Sequence, residues 1–592
     1  MKQTLILDLE IYRDYFLAMF RNVDTGNVRA FELHEDQALD AATIKAILRA
    51  YRIVTFNGAN FDIPLLMLAL KGANNALIKK ACDAIINNNL RGWQFERQWD
   101  VTIPKSLDHI DLIEVAPGTA SLKIYGGRMH CAKMQDLPIE PDASITPAHR
   151  AVLREYCAND LVTTQDLYTK LLPQIELREK MSAEYGLDLR SKSDAQIAEA
   201  VIGHQVSKVL GEQVTRPEVL AGTKFSYRPP KFIQFQTPVL QGVLEALRAE
   251  RFKVPDSGKV MMPKWLQDTA IEIGTSSYRM GIGGLHSSEQ SVAHLADDDT
   301  ILVDRDVASY YPNIILGTGL KPAHMGDAFT HAYRDILHRR LAAKASGDKV
   351  TDAALKITVN GSFGKFGSKW SKLYSPDLLI QTTITGQLAL LMLIEALEVE
   401  GIPVVSANTD GVVIKCPRSR LPMMEFVTWE WEYVTGLSLD ATYYKALYSR
   451  DVNNYIAIKP DGGFKLKGAY APAGLQKNPT NEICTGAVVK YLLDGTPVAD
   501  TIRACQDIRK FVTIRQVKGG AVKDDTYLGK AVRWYYAKGV TGTINYKLNG
   551  YTVARSEGAR PLMEIPESLP TDIDYAWYIA EAESILTAIG AA

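Results

Sequence analysis

Acidic residues that directly follow short apolar runs constrain the fold of this chain more than any other feature. Leu5-Ile6-Leu7 has the pattern of a buried strand, and Asp8 and Glu10 come at its end. Because successive side chains on a strand alternate between its two faces, these carboxylates point the same way. Two carboxylates side by side repel each other unless a cation binds both. The pattern therefore predicts a sheet whose strand end binds Mg²⁺ or Mn²⁺, which prefer hard oxygen ligands.

Strand and helix patterns alternate through the N-terminal part of the chain. Residues 41–50 are predicted to form a helix, and residues 53–56 a strand that Asn-Gly interrupts. A second helix is predicted from Asp62, with Pro64 in its first turn, and helical periodicity returns at 147–180. Such alternation predicts an α/β domain that ends near residue 180.

Further candidate ligands lie in the predicted helices of this domain. Asp62 stands at a strand-to-helix corner, and Asp160 lies on a helix with Tyr156 one turn earlier, facing the same way. The hydroxyl of Tyr156 can orient a water molecule, and two metal ions roughly 3.5–4 Å apart activate such a water and stabilise the leaving oxygen. Each residue alone is more often an ordinary surface residue than a ligand. The combination supports the prediction.

A second strand end with acids occurs in the middle of the chain. Ile301-Leu302-Val303 predicts a strand that ends in Asp304 and Asp306. Asp410 lies in a turn between two strand-like runs. An Asp in a turn is usually only a turn residue, so neither segment alone justifies a metal site.

One face of a predicted helix between these segments combines three kinds of side chain. Lys356, Asn360 and Phe363 are spaced i, i+4 and i+7. A cation, an amide and an aromatic ring on one stripe suit a nucleoside triphosphate, since the cation meets phosphate and the ring packs against base or sugar. The alternative is a helix of mixed polarity without a ligand.

Composition narrows the classes of protein that remain. The chain has 592 residues, which is too long for a single hydrophobic core, and about three to five folding units are expected. The longest apolar runs are shorter than the ~18 residues of a membrane span. The six cysteines form no C-x-x-C pair, which argues against a zinc site or a disulfide framework and fits a reducing cytosol.

Net charge does not identify a nucleic-acid-binding protein, because it is only −1. One stretch, residues 503–547, is locally rich in Lys and Arg, with Trp534, Tyr535 and Tyr536 among these residues. Basic side chains at a surface neutralise backbone phosphates and release counterions. A solvated surface without a ligand explains this stretch equally well.

The N-terminal acids belong to segments that resemble a known set of motifs. Asp8-Leu9-Glu10, residues 57–62 and residues 156–160 resemble the D-x-E, N-x-x-x-F-D and Y-x-x-x-D motifs of 3′→5′ proofreading exonuclease domains, in that order. That family has an RNase H-like fold and removes nucleotides from a 3′ end. The resemblance implies four metal ligands, which are Asp8, Glu10, Asp62 and Asp160. It also implies that Tyr156 assists them and that Asn57 and Phe61 contact the 3′ end.

Three segments downstream resemble motifs A, B and C of family B DNA polymerases. Residues 306–312 resemble D-x-x-S-L-Y-P, residues 356–364 resemble K-x-x-x-N-S-x-Y-G, and residues 408–411 resemble D-T-D-S. With the exonuclease motifs upstream, six motifs occur in the order of that family. The resemblance implies an α/β and α+β multidomain fold, in which an RNase H-like exonuclease domain accompanies a right-hand polymerase of palm, fingers and thumb.

The polymerase resemblance also implies roles for individual residues. Asp306, Asp410 and the carbonyl of Val307 would bind two Mg²⁺ ions, with Mn²⁺ as the expected substitute. Tyr311 would pack against the sugar and select dNTPs over rNTPs. The remaining nucleotide contacts would be Ser309, Lys356, Asn360, Phe363 and, on the basic helix before motif B, Arg334, Arg339, Arg340 and Lys344, among which spacing does not choose. Predicted DNA contacts are Lys445 and Tyr448 of a K-x-Y element, together with Arg533 and Trp534.

The same resemblance divides the chain into domains. The predicted divisions are an exonuclease domain at 1–180, a connecting region with N-terminal palm at 181–300, palm with motif A at 301–326, fingers with motif B at 327–370, palm with motif C at 371–470, and thumb at 471–592.

Several positions depart from the polymerase motifs. Asn408 opens motif C where the family usually has Asp, Tyr310 replaces Leu, Gly361 replaces Ser and Phe363 replaces Tyr. Metal binding belongs chiefly to the second acid of motif C, which is Asp410, so polymerase activity is expected to survive. The site is expected to have one negative charge less and an altered metal preference.

Two intervals predict a compact enzyme of the phage type that extends an ordinary primer. The first exonuclease acid is residue 8, which leaves no room for the N-terminal domain of larger cellular and archaeal enzymes. The interval of 50 residues from Asp306 to Lys356 leaves no room for the insertions of protein-primed phage enzymes. The expected partners are primer–template DNA and dNTPs, with no membrane, for a monomer in the cytoplasm of a host cell. A clamp, primase or helicase is a candidate partner that the sequence does not identify.

Three other functions are compatible with parts of the pattern. A 3′→5′ nuclease whose inactive polymerase half only holds DNA is suggested by Asn408. A DNA-binding protein without enzymatic activity would have to preserve two complete carboxylate sets by chance. The third alternative is an RNA polymerase or a reverse transcriptase. The bulky ring of Tyr311 argues against the use of ribonucleotides.

Overall fold

The computed structural model describes residues 2–591, which form two compact units. The first unit comprises the chain up to Ser193 together with Pro472–Ile483 and Ala504–Tyr578. The second comprises Asp194–Ala471, Cys484–Arg503 and the chain from Ile579 onward. The chain after residue 471 is therefore shared between the two units.

The N-terminal part of the first unit is built on short strands and longer helices. Its strands are β1 (Thr4–Ile11), β2 (Phe16–Asn22), β3 (Val28–Leu33), β4 (Arg52–Thr55) and β5 (His109–Asp111). Its helices are α1 (Ala41–Ala50), α2 (Asp62–Leu70), α3 (Asn75–Asn88), α4 (Gly92–Trp99), α5 (Leu112–Val115), α6 (Leu122–Arg128) and α7 (Pro147–Tyr185).

The predicted elements of this part are confirmed at their expected places. The helix predicted at 41–50 is α1, and the helix predicted from Asp62 is α2. The strand predicted at 53–56 is β4, shifted by one residue. The periodicity at 147–180 belongs to α7, which Thr146 caps through the backbone N–H of His149 and which Gly186 ends in the left-handed conformation.

The five strands form one mixed sheet in the order β3-β2-β1-β4-β5. The pairs among β1, β2 and β3 are antiparallel, and those among β1, β4 and β5 are parallel. Leu5, Leu7 and Leu9 of β1 pack into a core on one face, whereas Ile6 packs with Leu161 of α7 on the other. Because side chains alternate along a strand, the even-numbered acids of β1 face α7.

The second unit begins with short elements that lead into its main sheet. These are α8 (Asp194–Leu210), β6 (Lys224–Phe225), α9 (Pro238–Ala249), β7 (Phe252–Lys253), α10 (Lys264–Asp268), β8 (Ile271–Ile273), β9 (Ser276–Gly281), β10 (Gly284–Ser287) and β11 (Val292–Leu295). The next elements are β12 (Thr300–Val307), α11 (Tyr310–Gly317), α12 (Gly326–Ser346), α13 (Lys349–Phe366) and α14 (Pro376–Val399). Then come β13 (Val404–Asn408), β14 (Gly411–Pro417), α15 (Leu421–Thr435), β15 (Leu439–Tyr444), β16 (Ala446–Asp451), β17 (Asn454–Ile458) and β18 (Phe464–Leu466).

Seven strands of this unit form an antiparallel sheet in the order β15-β12-β14-β13-β10-β9-β8. In β12, Ile301, Val303 and Val307 pack into the large core that also contains α14. Leu302 packs on the opposite face with Tyr444. The acids of β12 have the parity of Leu302 and therefore lie on the smaller, less covered face.

Helix α14 is long and apolar enough to cross a membrane by length and composition, contrary to the expectation from apolar runs. In its most apolar 18-residue window 83% of residues are buried inside the protein, where Ile384, Leu388 and Leu391 are fully covered. A single helix with this degree of burial is what the core of a large unit produces, and it is weak evidence for a membrane span.

The C-terminal elements complete both units. They are α16 (Glu482–Asp494), α17 (Val498–Ala504), β19 (Thr513–Lys523), β20 (Thr526–Tyr536), β21 (Asn545–Tyr546), β22 (Ala559–Pro561) and α18 (Tyr575–Ala588). The four strands form a sheet in the order β21-β19-β20-β22, which belongs to the first unit. There Ile514 of β19 packs with Ile124 of α6.

Candidate active sites

The first site lies where β1 faces α7. Asp8 and Glu10 come from β1, Asp62 is the first residue of α2, and Asp160 lies one turn after Tyr156 on α7. Glu10, Asp62 and Asp160 are all buried, with 8%, 4% and 6% of their surface exposed. Carboxylate oxygens of Asp8 and Glu10 lie within 4.8 Å of each other. The fold therefore brings the four predicted acidic ligands together, and three of them are buried.

Burial and mutual repulsion change the acidity of this cluster. Burial raises the pKa of Asp8 to about 7, and the charge of Asp160 adds to the effect. Burial followed by the charge of Asp8 raises the pKa of Glu10 well above its usual value, and the same two causes act on the pKa of Asp62. Such a cluster resists full ionisation unless a cation compensates it, so the residues fit a divalent metal.

A buried thiol borders the same cluster. Cys157 Sγ lies 3.5 Å from Oδ2 of Asp8, to which its thiol donates, and burial raises the pKa of Cys157 well above that of a free cysteine. A protonated thiol is a poor metal ligand. The donor set is therefore made of carboxylate oxygens, which suits Mg²⁺ or Mn²⁺ rather than a soft metal.

Lys123 is a further residue of this site that sequence reasoning missed. It lies on α6, forms an ion pair with Asp160, and its Nζ lies 4.3 Å from the centroid of the Tyr156 ring. Burial still raises the pKa of Asp160, although the charge of Lys123 opposes this. Lys123 stands 37 residues before Asp160 in the sequence. Helical and strand periodicities relate only residues a few positions apart, so they do not predict this contact.

The loop before Asp62 is fixed by another residue that the sequence did not reveal. The buried carboxylate of Asp111 accepts hydrogen bonds from the backbone N–H of Asn57 at 2.7 Å and of Ala59 at 2.9 Å. Asn57 has a φ of 67°, a conformation that Asn tolerates better than most residues. Phe61 directly precedes α2 and is partly buried. Asp111 thus shapes the segment predicted to contact the 3′ end.

The second site lies at the end of β12 beside the β13–β14 turn. Asp306 pairs with Gly411 across the antiparallel ladder, and the backbone N–H of Val307 donates to the carbonyl of Asp410 at 2.7 Å. A Cβ atom at Gly411 would collide with Oδ1 of Asp306. The absence of a side chain at Gly411 therefore allows Asp306 to occupy its position next to the turn that carries Asp410.

The nearby acids of this site differ in their partners. Asp304 is buried and accepts hydrogen bonds from the Tyr444 hydroxyl at 2.6 Å and from Lys465 Nζ at 3.2 Å. Burial, then the charge of Asp304, raises the pKa of Asp306 to about 6, and burial also raises the pKa of Asp410. Asp304 is thus compensated by protein groups. Asp306 and Asp410 remain as oxygen donors that fit a divalent cation, with Lys465, a residue missed from the sequence, 3.8 Å from Asp306.

The unusual Asn408 of motif C has a structural partner. Its Nδ2 donates to the carbonyl of Val452 at 2.8 Å. An aspartate cannot donate this hydrogen bond and would place a charged oxygen against a carbonyl. Thr409, the next residue, has a φ of 61°, which is rare for a β-branched side chain and costs about 1–3 kcal/mol. The turn that presents Asp410 is therefore held in a strained conformation by its surroundings.

Stacked aromatic side chains from motif A and motif B border this site. The Tyr311 ring stacks on Phe363 with ring centroids 4.2 Å apart and an angle of 14° between the planes. The hydroxyl of Tyr311 donates to the carbonyl of Gly283 at 3.4 Å. The preceding Tyr310 is buried and bonded to the carbonyl of Gly386. Motif A and motif B are thus joined by a ring stack, with Tyr311 partly exposed.

One of the four basic candidates on α12 reaches motif A. Arg340 donates from Nη1 to Oγ of Ser309 at 3.2 Å and from Nε to Asp352 at 3.3 Å. Arg334 and Lys344 are exposed on α12, and Arg339 is partly exposed. Spacing left the choice among these four open; Arg340 contacts the motif A turn at Ser309, and which of the four meets phosphate stays a prediction.

The remaining candidates of the second unit lie on its surface. Lys356 and Asn360 are exposed on α13, on the stripe that Phe363 continues. Lys445 is exposed immediately before β16, and Tyr448 is partly buried on that strand. Their predicted contacts to nucleotide and primer stay predictions.

The assignment of Arg533 and Trp534 as DNA contacts is wrong for this structure, because both side chains are fully buried. The guanidinium of Arg533 donates to the carbonyls of Leu562 at 2.7 Å and Cys131 at 2.8 Å. In a sequence segment rich in basic and aromatic residues, a buried Arg that donates to main-chain carbonyls cannot be distinguished from an Arg that binds DNA. The exposed basic residues of this stretch are Arg503, Arg509, Lys510, Lys518, Lys530, Lys538 and Lys547.

Comparison with known proteins gives a partial match. No family model matches the chain. The chain is similar to DNA polymerase 1 of Saccharolobus solfataricus, with 25% identity over 120 residues, or 20% of this chain. It is 29% identical over 145 residues, or 22% of this chain, to DNA polymerase 1 of Aeropyrum pernix. It is 25% identical over 162 residues, or 27% of this chain, to DNA polymerase 1 of Sulfurisphaera ohwakuensis. The predicted resemblance to family B DNA polymerases is confirmed.

The extent of this resemblance is limited. The aligned segments cover 14%, 15% and 18% of the three relatives, so the chain matches less than a fifth of their length. Among solved structures, the family B DNA polymerase from Pyrobaculum calidifontis aligns with 100% of this chain and 78% of its own, at 14% identity and a TM-score of 0.41.

Proposed function

We propose that this chain is a DNA-dependent DNA polymerase that extends primers with dNTPs, and that it also carries a 3′→5′ proofreading exonuclease. The observation that carries the polymerase is the hydrogen bond from Val307 to the Asp410 carbonyl, which joins the ends of β12 and the β13–β14 turn. As a result, Asp306 and Asp410 lie side by side. Motif A also contains Tyr311, which stacks on Phe363, and Ser309, which accepts a hydrogen bond from Arg340.

The residues of the second site have complementary tasks in nucleotide transfer. Asp306, Asp410 and the Val307 carbonyl would hold two Mg²⁺ ions, which supply activation of the primer 3′-hydroxyl and neutralisation of charge on the phosphate. Lys465 compensates Asp304, so Asp306 stays available as a ligand. Arg340, already in contact with Ser309, provides a fork of donors suited to phosphate oxygens.

Tyr311 is proposed to select the sugar of the incoming nucleotide. Its ring is held on one side by Phe363 and at its hydroxyl by Gly283, so it cannot turn aside without losing the stack. A rigid ring below the sugar clashes with a 2′-hydroxyl. This arrangement supports DNA synthesis over the RNA polymerase hypothesis.

Replacing Tyr311 with Ala is expected to reduce the preference for dNTPs over rNTPs by about tenfold or more, roughly 1.4 kcal/mol, because the ring that excludes the 2′-hydroxyl is lost. The measurement is kcat/KM for a dNTP and the matching rNTP on one primer–template. Tyr311→Phe, which keeps the ring, is the control and should retain the preference. Unchanged selectivity of Tyr311→Ala would remove Tyr311 from this role.

Replacing Gly411 with Ala is expected to slow primer extension by about 10²-fold, because the new methyl group occupies the space of the Asp306 carboxylate and displaces this ligand. Gly242→Ala on α9 is the matched control, since its Cβ would meet open space. Both variants are assayed for extension rate and thermal unfolding. Normal extension by the Gly411→Ala chain would show that the Asp306 position is not required.

The first site supports hydrolysis of a 3′-terminal nucleotide. Asp8, Glu10, Asp62 and Asp160 would hold metal ions that activate water there. Tyr156, against the Lys123 ammonium, provides a hydroxyl that can orient the water. The strand order β3-β2-β1-β4-β5, antiparallel then parallel, supports the proposal that this part has an RNase H-like fold.

Lys123 is expected to contribute to this hydrolysis by holding Asp160 and Tyr156 in place. Lys123→Met, which keeps the length but not the charge, should reduce 3′→5′ degradation by about 10–100-fold, the usual effect of removing a partner of a metal ligand. Primer extension should be unchanged. Lys170→Met, at an exposed position of α7, serves as the control. Degradation at the wild-type rate in Lys123→Met would assign the ion pair to folding alone.

The nuclease-only alternative depended on Asn408, and the hydrogen bond of Asn408 to Val452 explains this residue without loss of the polymerase site. The test is extension of a DNA primer on DNA and RNA templates, with dNTPs or with rNTPs. Extension by dNTPs on DNA is expected. Degradation alone would favour the nuclease, and extension by rNTPs or on RNA would favour the other polymerase classes.

We further propose a phage replication enzyme that works as a monomer in the host cytoplasm and uses an ordinary primer. The use of an ordinary primer is supported by the interval between motifs A and B, where α12 and α13 are separated only by Gly347 and Asp348. A priming insertion has no place between these helices. Initiation from a protein primer, with no nucleic-acid primer present, would contradict this proposal.

A further inference from the structure

A cavity of about 810 Å³ opens in the first unit, at the end of α2 opposite Asp62. It is lined by the last turns of α1 and α2 and by residues 100–107. Its volume is within the range of protein ligand sites. Asp62 begins α2 and Leu70 ends it, so about 12 Å of helix separates the cavity from the exonuclease cluster. The proposed activities do not use this cavity.

The rim of the cavity is positively charged. Lys2, Lys45, Arg49 and Lys71 line it and are all exposed. Asp100 is the acid among the lining residues, and Lys71 pairs with it at 2.7 Å. Lys2 Nζ donates to the carbonyl of Arg49 at 3.0 Å, which holds a second cation at the opening. The rim therefore presents more cations than its own acid can compensate.

Helix ends explain only part of this charge. A basic side chain in the last turn of a helix complements the helix dipole, which accounts for Arg49 on α1 and Lys71 at the end of α2. Lys2 precedes β1, and Lys45 lies in the middle of α1. Their convergence on the same opening is not required by either helix.

The interior of the cavity is aliphatic. Leu48, Leu70 and Val101 are buried, whereas Met67 and Leu107 are partly exposed to the cavity. Among residues 2–591, the cavity lining includes no aromatic ring, so nucleic-acid bases have no surface there on which to stack. Aliphatic side chains and a methionine suit a bulky apolar side chain instead. The combination disfavours DNA as the occupant.

We infer that this cavity binds an acidic peptide segment of a partner protein, which inserts at least one large apolar side chain. The carboxylates of the peptide pair with Lys45, Arg49 and Lys2, and its apolar side chain is buried against Leu48 and Leu70. Charged rim contacts give orientation and fast association, and the buried side chain gives most of the affinity. The inference is independent of the proposed catalytic function.

A random nine-residue peptide library displayed on phage tests this inference, with the full chain as target. The enriched peptides should contain several Asp or Glu residues and at least one Leu, Ile, Met or Phe. A labelled enriched peptide is then titrated by fluorescence anisotropy at low and high salt. Its Kd should rise about tenfold or more in Lys45→Glu/Arg49→Glu and by less in Lys45→Gln/Arg49→Gln. Lys80→Glu/Lys170→Glu, exposed elsewhere on the first unit, should bind like the wild type.

Three results would overturn the inference. The first is enrichment of peptides without this composition, or no enrichment. The second is unchanged binding by Lys45→Glu/Arg49→Glu, provided that its thermal unfolding matches that of the wild type. The third is displacement of the peptide by single-stranded oligo(dT), which would assign the site to nucleic acid.

Discussion

Primer extension by an Asp306→Ala chain should be at least about 10³-fold slower than by the wild type, equivalent to roughly 4 kcal/mol of transition-state stabilisation. Asp306 is the partly exposed acid of β12, facing the turn of Asp410. Its neighbour Asp304 cannot substitute, because it is buried and bonded to Tyr444 and Lys465. Removal of Asp306 therefore leaves one carboxylate where two are needed.

The same variant should degrade a 3′ end at the wild-type rate. The acids of the first site come from β1, α2 and α7, none of which contributes a ligand to the second site. Asp298→Ala, in the exposed loop before β12, is the control for loss of an acid nearby. Rates are measured on one labelled primer–template, with and without dNTPs. Extension by Asp306→Ala at a normal rate would show that the palm assignment is wrong.

The reverse result is expected when Asp8 and Asp62 are both replaced by Ala. Degradation of a mismatched 3′ end should fall by at least about 10³-fold, because two of the four acids of the cluster are lost. The double variant should fold, since burial and repulsion make these carboxylates unfavourable in the absence of a cation. Extension of a matched primer should be retained.

The control for this double variant is Asp24→Ala/Asp36→Ala, which removes two exposed acids from the same unit. Mismatch removal is followed by gel electrophoresis, and thermal unfolding is recorded for both chains. Retention of 3′→5′ degradation by Asp8→Ala/Asp62→Ala, with the control unaffected, would refute the exonuclease assignment.

Local sequence pattern predicted the elements that carry the candidate ligands. The acids of β1 could be placed on one face because strand alternation is a local rule, and Tyr156 and Asp160 because helical spacing is equally local. The turn at Asp410 could be recognised from its Asp-Gly pair between apolar runs. These features depend on a few adjacent residues and do not require knowledge of the tertiary fold.

Residues that act through distant contacts were not predictable in this way. Lys123 meets Asp160, Asp111 binds the loop at Asn57, and Lys465 reaches Asp304 only because the chain returns to these places. Such pairs have no fixed separation in sequence. Each lysine or aspartate considered alone resembles a surface residue.

Burial of polar side chains was a second source of error. Arg533 has basic and aromatic neighbours, which favoured a DNA-binding surface, yet the four-stranded sheet places it inside against main-chain carbonyls. The chain after Ala471 is divided between two compact units, while the predicted domain bounds stay a prediction. Both depend on packing between segments that are far apart in sequence.

The proposed function requires one chain to carry separate sites for synthesis and degradation of DNA. A 5′-labelled primer–template incubated with the wild-type chain and Mg²⁺, with and without dNTPs, tests it most directly. We expect the primer to lengthen to the end of the template with dNTPs and to shorten from its 3′ end without them. Shortening in both reactions, with Mn²⁺ giving the same result, would contradict the polymerase and leave a nuclease.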